Sequence, residues 1–148
     1  STMIVQNFRS SREMLNLKQK DLINLFNVTY STISGWETGK DTIPLRQLIK
    51  YANYFGFSLD YLFGLSTTNE YYFPLVVDLH VIANNLKLIR KSRGFTQQDI
   101  AKFLNTSSSA YAHYENARYL IPTSFLYSIS LFYKDISIDR VLGRKRKV

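Results

Sequence analysis

No cysteine occurs in the chain, which excludes disulfides, thiolate metal sites and cysteine nucleophiles. Histidine is almost as scarce, and His80 and His113 have no companion ligands nearby, so no metal site is expected. No apolar run approaches the length of a membrane span, and no basic-then-apolar leader opens the chain; Met3 is the expected initiator. There is no glycine-rich phosphate loop, carboxylate cluster or nucleophile–base arrangement, so neither an enzyme nor a bound cofactor is expected. Charged residues make up a moderate 20%, and 45% of positions are hydrophobic, which argues against wholesale disorder and for packed cores.

A surplus of positive charge is present. The net charge is +8 over 148 residues, which favours a polyanionic partner without specifying a fold. It is unevenly spread: residues 1–74 carry seven Lys and Arg against six Asp and Glu, whereas residues 75–148 carry twelve against five. Four of the twelve form the run Arg144-Lys145-Arg146-Lys147, which reads either as a solvated, frayed tail or as a phosphate-seeking arm.

The length suits two domains of about 60 residues each, and an internal repeat supports this. A shift of 78 positions superposes Ile4 on Ile82, Asn7 on Asn85, Arg12 on Arg90, Gln19 on Gln97 and Asp21 on Asp99. It continues through Asn27/Asn105, Ser31/Ser109, Glu37/Glu115, Pro44/Pro122 and Leu48/Leu126. One inserted residue then brings Ser58, Asp60 and Gly64 onto Ser137, Asp139 and Gly143. Duplication of one domain type is the simplest account.

Each copy reads as five helices. In the first, helix two runs from about Gln19 to Phe26 with an apolar stripe at Leu22, Leu25 and Phe26. Asn27 suits a left-handed turn, Thr29 can cap helix three, and Gly39 ends it. Pro44 opens helix four, and a short helix five follows near Leu59. The second copy repeats the scheme with Asn105 as the turn and Ser107 or Ser108 as the cap. The expected organisation is a first domain at 3–66, a polar linker at 67–78 and a second domain at 79–148. An apolar pattern from Leu75 through Leu79, Ile82, Leu86 and Ile89 predicts one extended helix of about 18 residues, roughly 27 Å long. Tyr71, Tyr72 and Phe73, just before it, either pack the two domains together or help to form a dimer.

Two short helices joined by a tight turn describe a helix-turn-helix. A helix entering the major groove needs short polar side chains on its first turn, which Thr29, Tyr30, Ser31 and Thr32 supply, as do Ser107, Ser108 and Ser109 in the second copy. Gly35 is expected on the outward face, letting the backbone approach DNA closely, and His113 occupies the same place in the second copy.

The run Gln19-Lys20-Asp21-Leu22, then Asn27 through Lys40, then Ile43-Pro44 resembles the Cro/lambda-repressor-like, or XRE-type, helix-turn-helix family. So does the later Phe57 to Gly64. Residues 85–143 match more loosely, with Tyr114 in place of Trp36 and Ala117 in place of Gly39. The resemblance implies an all-α protein of two tandem five-helix domains. It implies phosphate contacts from Gln19 and Gln97, base reading by Tyr30, Ser31, Gly35, Ser108, Ser109 and His113, and backbone contacts from Lys40 and Arg118. It also implies structural ion pairs Arg12–Glu37 and Arg90–Glu115. The expected function is sequence-specific binding of double-stranded DNA, as a repressor using two recognition helices per chain, in a prokaryotic or phage protein of the cytoplasm. A second reading stays open, in which one copy binds DNA and the other is a dimerisation or partner-binding module, as in an antitoxin-like autoregulator. That leaves both a homodimer and an unidentified protein partner to be considered. No Arg stands at a reading position, so strong bidentate guanine contacts are not expected there.

Overall fold

The computed structural model describes residues 2–148, and among these every regular element is helical apart from one isolated β-bridge between Tyr72 and Arg146. The chain divides into two compact units, one running to Pro74 together with Arg146–Val148, the other spanning Leu75–Lys145.

The first unit holds α1 (Phe8–Met14), a tight 3-10 turn at Gln19–Leu22 that leads into α2 (Ile23–Phe26), then α3 (Tyr30–Thr38), α4 (Leu45–Phe55) and α5 (Leu59–Leu62). Their apolar stripes converge on an aromatic centre. The Phe8 and Tyr51 rings lie 4.9 Å apart, and Phe26 meets Trp36 edge-on at 5.1 Å. All four side chains are buried, each removing a large apolar area from water. The Tyr51 hydroxyl of this cluster lies 2.7 Å from Ser11 Oγ, and burial pushes its pKa up to about 12.

The second unit holds α6 (Leu79–Ser92), α7 (Gln97–Phe103), α8 (Ser108–Glu115), α9 (Thr123–Tyr133) and α10 (Ile138–Val141). Its core is more aliphatic. Leu86, Leu104 and Ile129 stand where the first unit has Phe8, Phe26 and Tyr51, and a buried Tyr111 replaces Ile33.

Backbone conformation repeats along with sequence. The described residues with positive φ form five pairs at the repeat spacing: Asn16/Gly94, Asn27/Asn105, Gly39/Ala117, Gly56/Lys134 and Gly64/Gly143. One residue remains, Asp135 at φ 44°, and it is the insertion that moves the spacing from 78 to 79. The left-handed positions therefore mark where each copy must turn. At two of them the second copy has lost the residue that turns cheaply. Ala117 sits at φ 61°, and Lys134 sits at φ 56° and ψ 167°, a region that glycine alone enters freely.

Two expectations need correction. The helix anticipated from Leu75 begins at Leu79, because the Asp78 carboxylate accepts from the backbone N–H groups of His80 (3.0 Å) and Val81 (3.4 Å) and so caps it there. At 14 residues it spans about 21 Å. It still exceeds the seven residues of α1 by two turns at its amino end. The basic run is exposed from Lys145 onward, but parts of it are held by contacts within the chain. Arg144 is buried and meets Asp139 at 3.0 Å, and Arg146 meets Glu70 at 2.6 Å. The Lys147 backbone N–H donates to Tyr71 at 2.8 Å, while its ammonium lies 5.5 Å from the Phe73 ring centroid.

Replacing Lys134 with Gly is expected to stabilise the protein by about 1 kcal/mol, and Ala117→Gly by somewhat less, because each relieves a left-handed backbone. Chemical denaturation checks both, and an unchanged or lower midpoint would mean that no strain is held at these turns.

Candidate nucleic-acid interface

In the first unit Asn27 turns the chain at φ 54°, and Thr29, extended at φ −84° and ψ 161°, caps α3 by accepting from the Thr32 N–H. The cap leaves Thr29, Tyr30 and Ser31 exposed on the opening turn, with Thr32 half-buried. The hydroxyls of Ser31 and Thr32 each stand 3.1 Å from Thr29 Oγ1, so the three form a small web. The opposite face carries Ile33, Trp36 and Glu37, all buried, and Gly39 ends the helix with φ 86°. In the second unit Asn105 turns at φ 58°, Ser107 caps α8 by accepting from the Ala110 N–H at 3.1 Å, and Ser107, Ser108 and Ser109 are exposed. Tyr111 and Glu115 hold the buried side of α8.

The angle of each of these helices is fixed by the same set of bonds. Arg12 Nε and Nη2 donate to the two Glu37 oxygens at 2.7 and 2.8 Å, and Nη1 donates to the Leu17 carbonyl at 2.7 Å. Gln19 Nε2 adds a bond to Glu37 Oε1 at 2.9 Å. In the second unit Arg90 grips Glu115 at 2.8 and 2.9 Å and donates to Phe95 at 2.9 Å, and Gln97 reaches Glu115 at 3.1 Å. One arginine thus joins the first helix of its unit, the turn after it and the carboxyl-terminal part of α3 or α8. Hydrogen bonding to the glutamate raises both guanidinium pKa values further. Burial opposes ionisation of Glu115, yet the bonds from Arg90 and its neighbours outweigh this and hold the carboxyl below its ordinary range.

The structure places the expected site residues unequally. Lys40 and Arg118 are exposed just beyond the two helices. Gln19 and Gln97 turn their amide N–H groups inward to the glutamates, so they brace the helices whatever else they touch. Gly35 is not on an open face. The chain after α3 folds back over it, the Asp41 N–H donates to its carbonyl at 3.2 Å, and a Cβ there would lie 3.4 Å from the Asp41 carboxylate. His113 is half-buried, with its ring edge-on to Tyr119 at 5.5 Å.

Sequence reasoning missed several neighbours. Lys18 and Lys20 share a recess with Tyr30 and Gln19, and Lys102 shares one with Asn105, Ser107 and Ser108. Asp41 and Tyr119, which occupy one repeat position, border the far end of their helices. The repeat alignment could have flagged these pairs, since it sets unlike residues on one scaffold position.

Comparison with known proteins agrees with this geometry. Residues 8–62 match the family described as Helix-turn-helix, and residues 83–141 match one described as Helix-turn-helix domain. No curated protein matches the chain. Among solved structures, a transcriptional regulator from Listeria innocua aligns with 45% of this chain at 25% identity and a TM-score of 0.41, too low for the superposition to bear on the fold. The alignment covers 62% of that protein, less than two thirds of its length. Two family matches in tandem, each on a capped helix with an exposed polar first turn, define a DNA-binding regulator. The chain belongs to the XRE-type helix-turn-helix family, in two copies.

Removing one partner of either clamp strands a buried charge. Arg90→Met is therefore expected to cost about 3–5 kcal/mol, while a double change of Arg90 and Glu115 to apolar residues recovers most of it. Because the Glu115 pKa is depressed in the fold, its contribution is complete above the unfolded carboxyl pKa of about 4.3 and is lost as pH falls through the folded value. Urea midpoints measured from pH 7 to pH 3 should fall steeply for the parent protein and less so for the double variant.

Proposed function

We propose that the protein is a repressor that binds double-stranded DNA sequence-specifically, using α3 and α8 as two recognition helices. The observation that carries this is the duplicated combination of an exposed hydroxyl-bearing first turn and a buried Arg–Glu–Gln clamp behind it. A clamp of this kind holds a helix at one angle, as reading base edges in a groove requires. Lys18 and Lys20 in the first unit and Lys102 in the second are exposed near these turns, Lys40 and Arg118 are exposed beyond the helices' far ends, and these cations supply phosphate contacts. Binding within a promoter would exclude polymerase, and no further catalytic group is needed for that effect.

The competing reading, in which the second copy binds a partner protein, draws on one feature. An apolar groove in the second unit is lined by Leu88, Ile89, Ile136 and Val141, with Asn85 and Arg140 at its edge. The aligned positions in the first unit include Ser10 and Ser11.

Gel-shift titration tests the leading reading. Affinity for a selected duplex is expected to fall on the order of a hundredfold or more between 50 and 200 mM salt, as four or five phosphate contacts require. Affinity independent of salt would remove the proposal. Ser31→Glu and His113→Glu, made separately, are each expected to weaken binding at least tenfold, on the order expected when an acid is set against phosphate or a base contact is lost. If only one does so, a single copy reads DNA and the second reading takes over.

A further inference from the structure

The two copies share a scaffold but not a reading surface. At the amino-terminal side of α3, the exposed Tyr30 shares its recess with Lys18, Gln19 and Lys20. The aligned positions in the second unit are Ser108, Thr96, Gln97 and Gln98, so both lysines and the aromatic ring are absent there. At the carboxyl-terminal side the contrast is reversed. In the first unit Gly35 offers no side chain and is covered by the acidic Asp41. In the second, His113 stands at that position, oriented by the Tyr119 ring at 5.5 Å, with the Arg118 guanidinium 5.5 Å from the same ring. One copy therefore presents a phenol and two ammonium groups at the start of its recognition helix, and the Lys40 ammonium with the Asp41 carboxylate beyond its end. The other presents short hydroxyls and the Lys102 ammonium at the start, and imidazole, guanidinium and phenol groups at the end.

We infer that the two recognition helices are inequivalent readers and that the target is a pair of different half-sites, with Tyr30 and His113 as the specificity-determining residues. This rests on the DNA-reading function proposed above and adds the composition of the target. The chemistry gives each half its preference. The Tyr30 ring is a flat apolar surface 58% exposed, suited to a thymine methyl group. Asp41 accepts hydrogen bonds and repels phosphate, so on the first half it matches the amino group of cytosine. The His113 ring can donate one N–H to purine N7, an acceptor that every purine displays in the major groove. The clamps are the same in both units, so the difference in preference arises from side chains and not from a difference in how each helix is braced.

Selection of the full chain on a randomised duplex is expected to yield two dissimilar motifs, one containing thymine and the other a purine contact. Tyr30→Ser is expected to lower affinity for the selected duplex about tenfold and to relax preference in one motif only. His113→Gly is expected to do the same in the other motif only. Tyr30→Phe and His113→Gln, which keep the ring and a donor respectively, should retain most of each preference, and circular dichroism melts establish that all four variants fold. Two identical motifs, or a variant that relaxes both motifs or neither, would overturn the inference while leaving DNA binding intact. Failure to enrich any motif would instead remove the parent function.

Discussion

Behind the exposed first turns of α3 and α8 lies a buried arginine–glutamate pair. In each unit an arginine from the first helix binds both oxygens of a glutamate on α3 or α8, and a glutamine at the start of the second helix closes the set. Bidentate geometry fixes direction as well as distance. Burial makes the pair costly to break and of modest net value relative to apolar substitutes. Its effect is therefore chiefly on register: it determines which side of α3 or α8 is covered and which reaches solvent.

Around that constraint the two units have diverged in how they fill space. The first uses a cluster of rings centred on Tyr51, and the second uses aliphatic side chains with two buried tyrosines, Tyr111 and Tyr133, at different positions. Both solutions preserve the same helix bounds: α4 at Leu45–Phe55 and α9 at Thr123–Tyr133 lie 78 positions apart at both ends. Packing volume can thus be redistributed while backbone turns stay in place. The turns are the stricter inheritance, since Ala117 and Lys134 adopt left-handed backbone in positions where the first copy has glycine.

Much of the fold was legible in the sequence because its signals are local. Asn27 and Asn105 at tight turns, Thr29 and Ser107 as caps, and the 3.6-residue apolar stripes each act within a few residues, and the structure uses them as read. What was not legible depends on chain paths. Helical phase points Gly35 outward, but the loop through Lys40 and Asp41 returns over it. Leu75 continues an apolar stripe, but a side chain three residues later caps the helix and ends the pattern's authority. The inward bonds of Gln19 and Gln97 likewise arise from a partner 18 residues away along the chain.

The closing basic run shows what such paths do to charge. Arg144 lies against Asp139, Arg146 against Glu70, and the Lys147 ammonium beside an aromatic face, while Arg90 is spent on Glu115. The second half of the chain therefore has a weaker pull on a polyanion than its tally of cations suggests. A phosphate arriving at this end would have to compete with Glu70 for Arg146, and would meet Lys145 exposed beside it.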